Sequence, residues 1–438
     1  MKIRDKLAIT ASGRYNLAMK SKDTENWFLA RGVKQPPYNL DRIKALLKAL
    51  GNPQNNFASI LVGGTNGKGS VTAMLESIML QTEIYNIGSF TSPHLLSLKE
   101  RIKINGNEIS DKLLTETAKK IQALFSEPNA EDIKKSAFFE SITAAAFLAF
   151  EASETDLAIL EVGLGGRYDS TNTASPEFSI ITNVGTDHKE FLGNTKKEIA
   201  IEKLEIVHKK RSLITAEKDP EILALFKDKT DSCSSALINV NEKTYFELIE
   251  SNQQGHRLKL LNSEIFLHMP GDHQLENLKV ALEGINQLRI NGFDISDKAI
   301  VTGLEKVKWL GRLTKLSDNP PFFIDAAHNI ESVQALTTYL TTYWPNKKFN
   351  IIFGSLRDKP AENMLSILAP HAAHFYFAVP PTPRALTEEE LSKLDTSGIA
   401  STFCESVSKA FTKCEQDKST PVICCGSIYL ISEALKLQ

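Results

Sequence analysis

Residues 63–70 read Gly-Gly-Thr-Asn-Gly-Lys-Gly-Ser. A run of this kind can cradle a polyphosphate. Its backbone N–H groups point at phosphate oxygens, a lysine supplies positive charge, and a helix N-terminus stands behind. Glycines let the chain pass close to the ligand in dihedrals closed to other residues. Gly64, Thr65, Asn66, Gly67, Lys68, Gly69 and Ser70 are therefore the candidate phosphate-binding residues. The spelling departs from the usual pattern. Val62 stands where a glycine is expected. Gly69 stands where a hydroxyl residue normally follows the lysine, and Ser70 comes one place later. The plainer reading of the same letters is a glycine-rich turn with an incidental lysine.

A bound triphosphate calls for Mg²⁺, whose ligands should come from loops near the phosphates. Ser92 follows the apolar run IGSF, and Glu161 ends the run DLAILE. Asp187 and His188 follow FSIITNVG, and Lys203 lies in the amphipathic segment IAIEKLEIVHK. Each has a plain alternative: Glu161 could pair with Arg167, His188 could cap a turn, and Lys203 could be a solvated helix lysine. Their arrangement over successive strand ends is what singles them out.

The elements that must position these residues are legible as alternating strands and helices. FASILVG is a short apolar strand leading into the glycine run, and VTAMLESIMLQ is a striped helix after it. That order, strand then glycine loop then helix, is the context a phosphate loop needs. Residues 38–50 form a helix stopped by Gly51, Asn52 and Pro53. DLAILEVG and FSIITNVG are buried-type strands, with FFESITAAAFLAFEA a helix before them. This alternation predicts a mostly parallel α/β sheet. SALINV, YFELIE, RLKLL and EIFLHM predict a small antiparallel section, followed by the helix ENLKVALEGINQL. From about residue 320, five strands (FFIDAA, FNIIFGS, HFYFAV, STFCES, PVICCGS) alternate with five helical segments in a doubly wound pattern. The expected division is a first domain over 1–300 and a C-terminal domain over 301–438, with the junction near 298–312.

Composition bounds the function. At 438 residues the chain is too long for one core. A net charge of −2 argues against a binder held to nucleic acid by phosphate contacts. No run approaches 18 apolar residues, so no membrane span is expected. The N-terminal residues MKIRDKLAITASGRYN lack the apolar stretch of a secretory signal. Cys233, Cys404, Cys414, Cys424 and Cys425 make an odd set without a Cys-x-x-Cys pair. Neither a disulfide framework nor a zinc site is expected, and Cys424 and Cys425 read as small core side chains. A reducing cytoplasm fits.

Ten segments, in order, resemble one family: LVGGTNGKGSV, FTSPHL with ERIKING, FFESITAAAF, EVGLGGRYDSTN, NVGTDHKEFLG, IAIEK, GDHQLENLKVAL, WLGRL, DAAHN and GSLRDK. The chain is similar to folylpolyglutamate synthase and dihydrofolate synthase, members of the Mur ligase superfamily. The resemblance runs from about residue 38 to 430. It implies a P-loop-type central domain and a Rossmann-like C-terminal domain. It implies ATP-dependent transfer of L-glutamate to a folate or dihydropteroate carboxylate, through an acyl phosphate. Lys68 would contact the transferred phosphate. Ser92 and Glu161 would bind one Mg²⁺, and Glu161, His188 and Lys203 a second. An ammonium cannot ligate a metal, and in this family the matching lysine is typically carbamylated. Asn277 and Arg312 would contact the nucleotide, while Asp325 and His328 would complete the site from the second domain. Members are often monomers. The chain has its own spellings: Leu204-Glu205-Ile206 where Ala-Gly-Ile is usual, Leu310 for proline, and Ala326 for glycine.

Other functions compete with this one. A cell-wall ligase of the same superfamily would carry an additional N-terminal domain, and about 55 residues before the first strand are too few for it. A P-loop NTPase or kinase would not need the second doubly wound domain. A non-catalytic nucleotide binder would be expected to lack Lys68 or Glu161, and both are present.

Overall fold

The computed structural model describes residues 21–33, 36, 38–127 and 130–437. The N-terminal segment MKIRDKLAITASGRYN, read above for a secretory signal, lies outside the described residues. Eight strands form the first sheet: β1 (Ala58–Gly63), β2 (Ile87–Phe90), β3 (Ile102–Ile104), β4 (Asn107–Glu108), β5 (Leu157–Glu161), β6 (Pro176–Ile181), β7 (Leu213–Thr215) and β8 (Leu237–Asn239). Their order is β4-β3-β2-β5-β1-β6-β7-β8. β2, β5, β1, β6, β7 and β8 run parallel, and β3 and β4 add antiparallel pairings at one edge. Central strands β1 and β5 are buried on both faces, which is why their sequences are continuous apolar runs rather than alternations.

The helix Phe138–Ala152 is apolar nearly all round because it is enclosed on one face of this sheet. Phe147 and Phe150 are fully buried in it, each contributing about 1.5–3 kcal/mol of transfer free energy. The approach is close: a Cβ at Gly88 of β2 would lie 2.7 Å from the Phe150 ring. The opposite face is covered by the helices Lys68–Leu80, His273–Ile290 and Asp297–Lys306.

The small antiparallel sheet contains β9 (Glu247–Asn252), β10 (Gly255–Leu260) and β11 (Ser263–Leu267). SALINV does not belong to it, contrary to expectation. Leu237–Asn239 pairs in parallel with β7 at the edge of the large sheet. The reason is the helix Pro220–Ser232, which makes a crossover connection between two strands, and a crossover returns the chain parallel.

The second large sheet comprises β12 (Thr314–Asp318), β13 (Pro321–Ile324), β14 (Phe349–Phe353), β15 (Ala372–Phe377), β16 (Ser401–Phe403) and β17 (Val422–Cys425). Its order is β12-β13-β17-β14-β15-β16. The five expected strands are present and parallel. A sixth, β12, was not foreseen; it forms an antiparallel hairpin with β13, and its mixed burial leaves little apolar signal. Helices cover both faces. Cys424 and Cys425 are fully buried in β17, and all five thiols are free. No helix among the described residues is long and apolar enough to cross a membrane.

Parallel strands carry their loops to one end. The C-terminal ends of β1, β2, β5 and β6 open toward those of β13, β14 and β17, and a cleft of about 1430 Å³ lies between them. This is the place where ligands bind in open α/β sheets.

Candidate active site between the two sheets

The glycine run is a true strand–loop–helix turn. Gly67 caps the helix Lys68–Leu80 in the left-handed region at φ 89°. A side chain there would strike Asn277, whose Oδ1 would sit 2.2 Å from the added Cβ. Gly64 has φ +135°, and its Cβ would fall 1.9 Å from Thr182 Oγ1. Thr182 and Asn183, just past β6, hold the loop: both side chains donate to Asn66 O, at 2.6 and 3.1 Å. Asn183 Oδ1 accepts from Asn66 N at 3.0 Å.

The odd spelling has a local cause. A Cβ at Gly69 would lie 2.8 Å from the Trp309 ring, which arrives from the segment joining the two sheets. Ser70 is buried below, its Oγ without a hydrogen-bond partner, and it does not line the cleft. Lys68 Nζ donates to Gly64 O at 3.1 Å and Thr65 O at 3.2 Å. Burial pulls its pKa down, against the pull of Glu161 and Asp187.

Glu161 ends β5 and is buried. Its carboxylate accepts Ser92 N at 3.1 Å, so the Ser92 loop and the β5 end meet as the sequence order suggested. Burial raises its pKa, opposed by Lys68, the Ser92 N–H and two arginines. Glu161 does not pair with Arg167. That guanidinium goes instead to Glu202 at 2.9 Å and Glu205 at 3.5 Å.

Lys203 is not a solvated lysine. It is 4% exposed at the end of the helix Lys196–Leu204, and its Nζ donates to Gly64 O at 2.9 Å. Desolvation, then the charge of Lys68, lower its pKa to about 7. Gly166 permits this placement, because a Cβ there would be 2.8 Å from the Glu202 and Lys203 carbonyls.

His188 has φ 56° and lines the cleft without a side-chain capping bond. Burial lowers its pKa to about 4, so the ring is neutral with a lone pair to give. Arg312 and His328 also line the cleft, whereas Asn277 and Asp325 are buried behind it. Asp325 accepts Leu313 N and Ala327 N, both at 2.9 Å, and so ties the joining segment to the end of β13.

Sequence reasoning gave Asp187 a place but no partner, and overlooked Lys359. These two meet across the cleft, 172 residues apart, with Nζ 2.5 Å from Oδ1. Asn329 Nδ2 donates to the other oxygen at 3.0 Å, and His328 Nε2 lies 3.4 Å from it. Burial alone would raise the Asp187 pKa. The His328 contact, the His188 ring (protonated only at the low pH where a carboxyl titrates) and the Lys359 charge outweigh it and hold the carboxyl well below the usual range. Lys359 sits in GSLRDK and Asp187 in NVGTDH, so the motifs flagged both segments without showing that they touch.

The comparisons with known proteins agree with this architecture. Residues 62–283 match the Mur ligase middle domain and residues 311–428 the Mur ligase glutamate ligase domain. The dihydrofolate synthase/folylpolyglutamate synthase of Bacillus subtilis (strain 168) is 33% identical over 432 residues, 94% of this chain and 98% of that protein. The chain belongs to the folylpolyglutamate synthase/dihydrofolate synthase family of Mur ligases. Membership brings the reaction class, an ATP-dependent acid–amino-acid ligation. Among solved structures, the Thermotoga maritima folylpolyglutamate synthase superposes with TM-score 0.81 at 30% identity, over 95% of this chain and 96% of that one. The Mycobacterium tuberculosis folylpolyglutamate synthase complexed with ADP gives 0.85 at 26% identity, over 95% and 98%.

Proposed function

We propose that this ligase uses ATP and L-glutamate to extend the carboxylate of a folate, of dihydropteroate, or of both. The observation that carries the reading is the convergence of Lys68, Glu161, His188, Lys203 and His328 on one cleft from two sheets. The rest of the cleft wall suits a flat aromatic acid. Leu96, Leu164, Tyr168, Phe191 and Leu310 line it and are each more than a third exposed. Such an exposed apolar patch beside charged groups is what a substrate covers.

In this reading Gly64–Gly69 seat the triphosphate and Ser70, expected to join them, stays buried below, with Arg312 beside the loop and Asn277 and Asp325 behind. Lys68 leaves its two loop carbonyls and neutralises the transferred phosphate. An acid oxygen attacks the γ-phosphorus and ADP departs, leaving an acyl phosphate. The glutamate amine then attacks the carbonyl carbon, and phosphate leaves from the tetrahedral intermediate. The amine must shed a proton. His328 is placed to take it: Nδ1 is committed to Ala326 O at 2.8 Å, and Nε2 faces Asp187, which remains ionised.

The donor set fits Mg²⁺. Glu161 is a buried carboxylate whose one hydrogen bond among the described residues comes from Ser92 N, and a cation would offset the burial that raises its pKa. Ser92 with Glu161 would hold one ion; Glu161, His188 and Lys203 would hold another. Lys203 fits as a carbamate, because an amine with a pKa near 7 is substantially neutral and able to capture carbon dioxide. Among the described residues no three His, Cys, Asp or Glu side chains cluster at metal spacing, so the sites depend on Ser92 and on that modification. Bound Mg²⁺ would supply charge neutralisation to the phosphates. A division of the chain at about residue 300, a monomeric working form and a cytoplasmic location belong to the same reading.

The test is direct. Purified protein receives ATP, Mg²⁺ and L-glutamate with either dihydropteroate or tetrahydrofolate, and ADP is measured. Acid-dependent ADP release is expected; its absence with both acids sinks the reading.

A further inference from the structure

Arg101 is a buried cation that nothing in the mechanism above employs. It is 7% exposed, yet it lines the cleft. Its Nε donates to His94 Nδ1 at 2.8 Å, and its guanidinium carbon lies 5.0 Å from the centre of the Phe138 ring. Neither neighbour carries a negative charge. The adjacent acid is occupied elsewhere: the Glu100 carboxylate accepts Leu95 N, Leu96 N and Ser97 N, each at 2.7 Å. Among the described residues, no carboxylate lies within ion-pair distance of Arg101. Burial lowers its pKa to about 10, so it is still charged at neutral pH.

An unpaired buried guanidinium is costly unless a ligand completes it. Here the loop has fixed its orientation, with Nε held by His94 and the plane set against Phe138. The terminal Nη groups are left as a planar fork, the shape that grips a carboxylate with two parallel bonds.

The position says which carboxylate. Arg101 immediately precedes β3, and β2 and β5 separate β3 from β1, the strand that leads into Lys68. At about 4.8 Å per strand, that sets it apart from the phosphate seat. A group there is poorly placed for the acid oxygen that attacks phosphorus. On the ligase reading given above, we propose that Arg101 binds a second carboxylate of the acid substrate, the one that is not phosphorylated. Dihydropteroate has a single carboxylate. An acid that already bears a glutamyl residue has two, and only that acid would use Arg101.

The experiment compares the wild type with Arg101→Gln and Arg101→Lys. Binding of pteroate (one carboxylate) and pteroylglutamate (two) is titrated, and turnover is followed with dihydropteroate and tetrahydrofolate. In Arg101→Gln, affinity for the two-carboxylate acids should fall about 10- to 100-fold, the loss expected for a charge-assisted bidentate contact. The loss should appear in KM for that acid, with little change for the one-carboxylate acids or for ATP. Arg101→Lys should be intermediate, keeping charge without the fork. Because glutamine removes an unpaired buried charge, the melting temperature should hold or rise. Equal loss with both acids, no loss with either, a rise in KM for L-glutamate instead, or wild-type protein that binds pteroate but not pteroylglutamate would each overturn the assignment while leaving the ligase reading standing. Wild-type protein that binds neither acid and turns over neither would defeat the ligase reading itself.

Discussion

Changing Asp187 to Asn should loosen the junction between the two sheets. The carboxylate is buried and meets Lys359 Nζ at 2.5 Å, Asn329 Nδ2 at 3.0 Å and His328 Nε2 at 3.4 Å. All three partners come from the C-terminal half, while Asp187 follows β6 of the first sheet. An asparagine preserves the shape but removes the charge, leaving buried Lys359 with only the more distant Asp358 carboxylate, at 3.7 Å, to oppose it. Removing one member of a buried pair typically costs about 3–5 kcal/mol, whereas removing both costs much less. The double variant Asp187→Asn/Lys359→Met should therefore recover much of the loss, with a coupling energy of about 2 kcal/mol or more. The assay is denaturant unfolding of all four proteins, scored on the transition that reports the C-terminal half through Trp344. The sign of the pH effect follows from the depressed pKa of Asp187. Its contribution is complete above the unfolded carboxyl pKa, about 3.9, and fades only as pH falls toward the folded value. The coupling should stay level between about pH 5 and 8. Coupling indistinguishable from zero, or coupling that disappears across that range, would refute the account of this junction.

Other perturbations test the remaining parts. Lys68→Ala should abolish ADP release while circular dichroism and melting stay near wild type, since among the described residues the lysine side chain bonds only to its own loop carbonyls; surviving turnover would remove it from the phosphate seat. Gly67→Ala forces a side chain into φ 89° and onto Asn277, so stability should fall by about 1–3 kcal/mol and ATP binding should be lost, as read by melting and nucleotide titration. Lys203 has a lowered pKa, so below about 7 the native protein carries a buried charge, and above it the unfolded chain holds the extra proton. Stability of metal-free, bicarbonate-free protein should therefore rise with pH from about 7 to about 10.4, and Lys203→Met should lose that slope. With labelled bicarbonate and Mg²⁺, a carbamate carbon resonance is expected from wild type and not from that variant.

How much was legible depended on whether a residue's role is local. The strand–loop–helix at 58–80 could be read because apolar run, glycines and lysine are consecutive and each has a local reason. The parallel strands β1, β5 and β6 could be read because burial on both faces leaves unbroken apolar sequence. β12 and the placement of β8 could not, since an edge strand's partner is set by the connection before it and not by its own residues. The motif residues were found by their order along the chain, while their contacts were not. Lys203 looked like a solvated lysine because helical spacing reports which face a residue occupies, but not what packs against that face.

The sequence by itself determined the glycine loop between strand and helix, the two α/β halves and the family, because these rest on short-range patterns and on motif order. Tertiary structure alone decided that Gly69 makes room for Trp309, that Lys203 reaches Gly64 across 139 residues, and that Asp187 and Lys359 join the two halves. It also decided that Arg101 is buried with no carboxylate among the described residues within ion-pair distance. The physical reason is shared. Desolvation and charge pairing depend on what lies within a few ångströms in space, and residues far apart in the chain supply most of it.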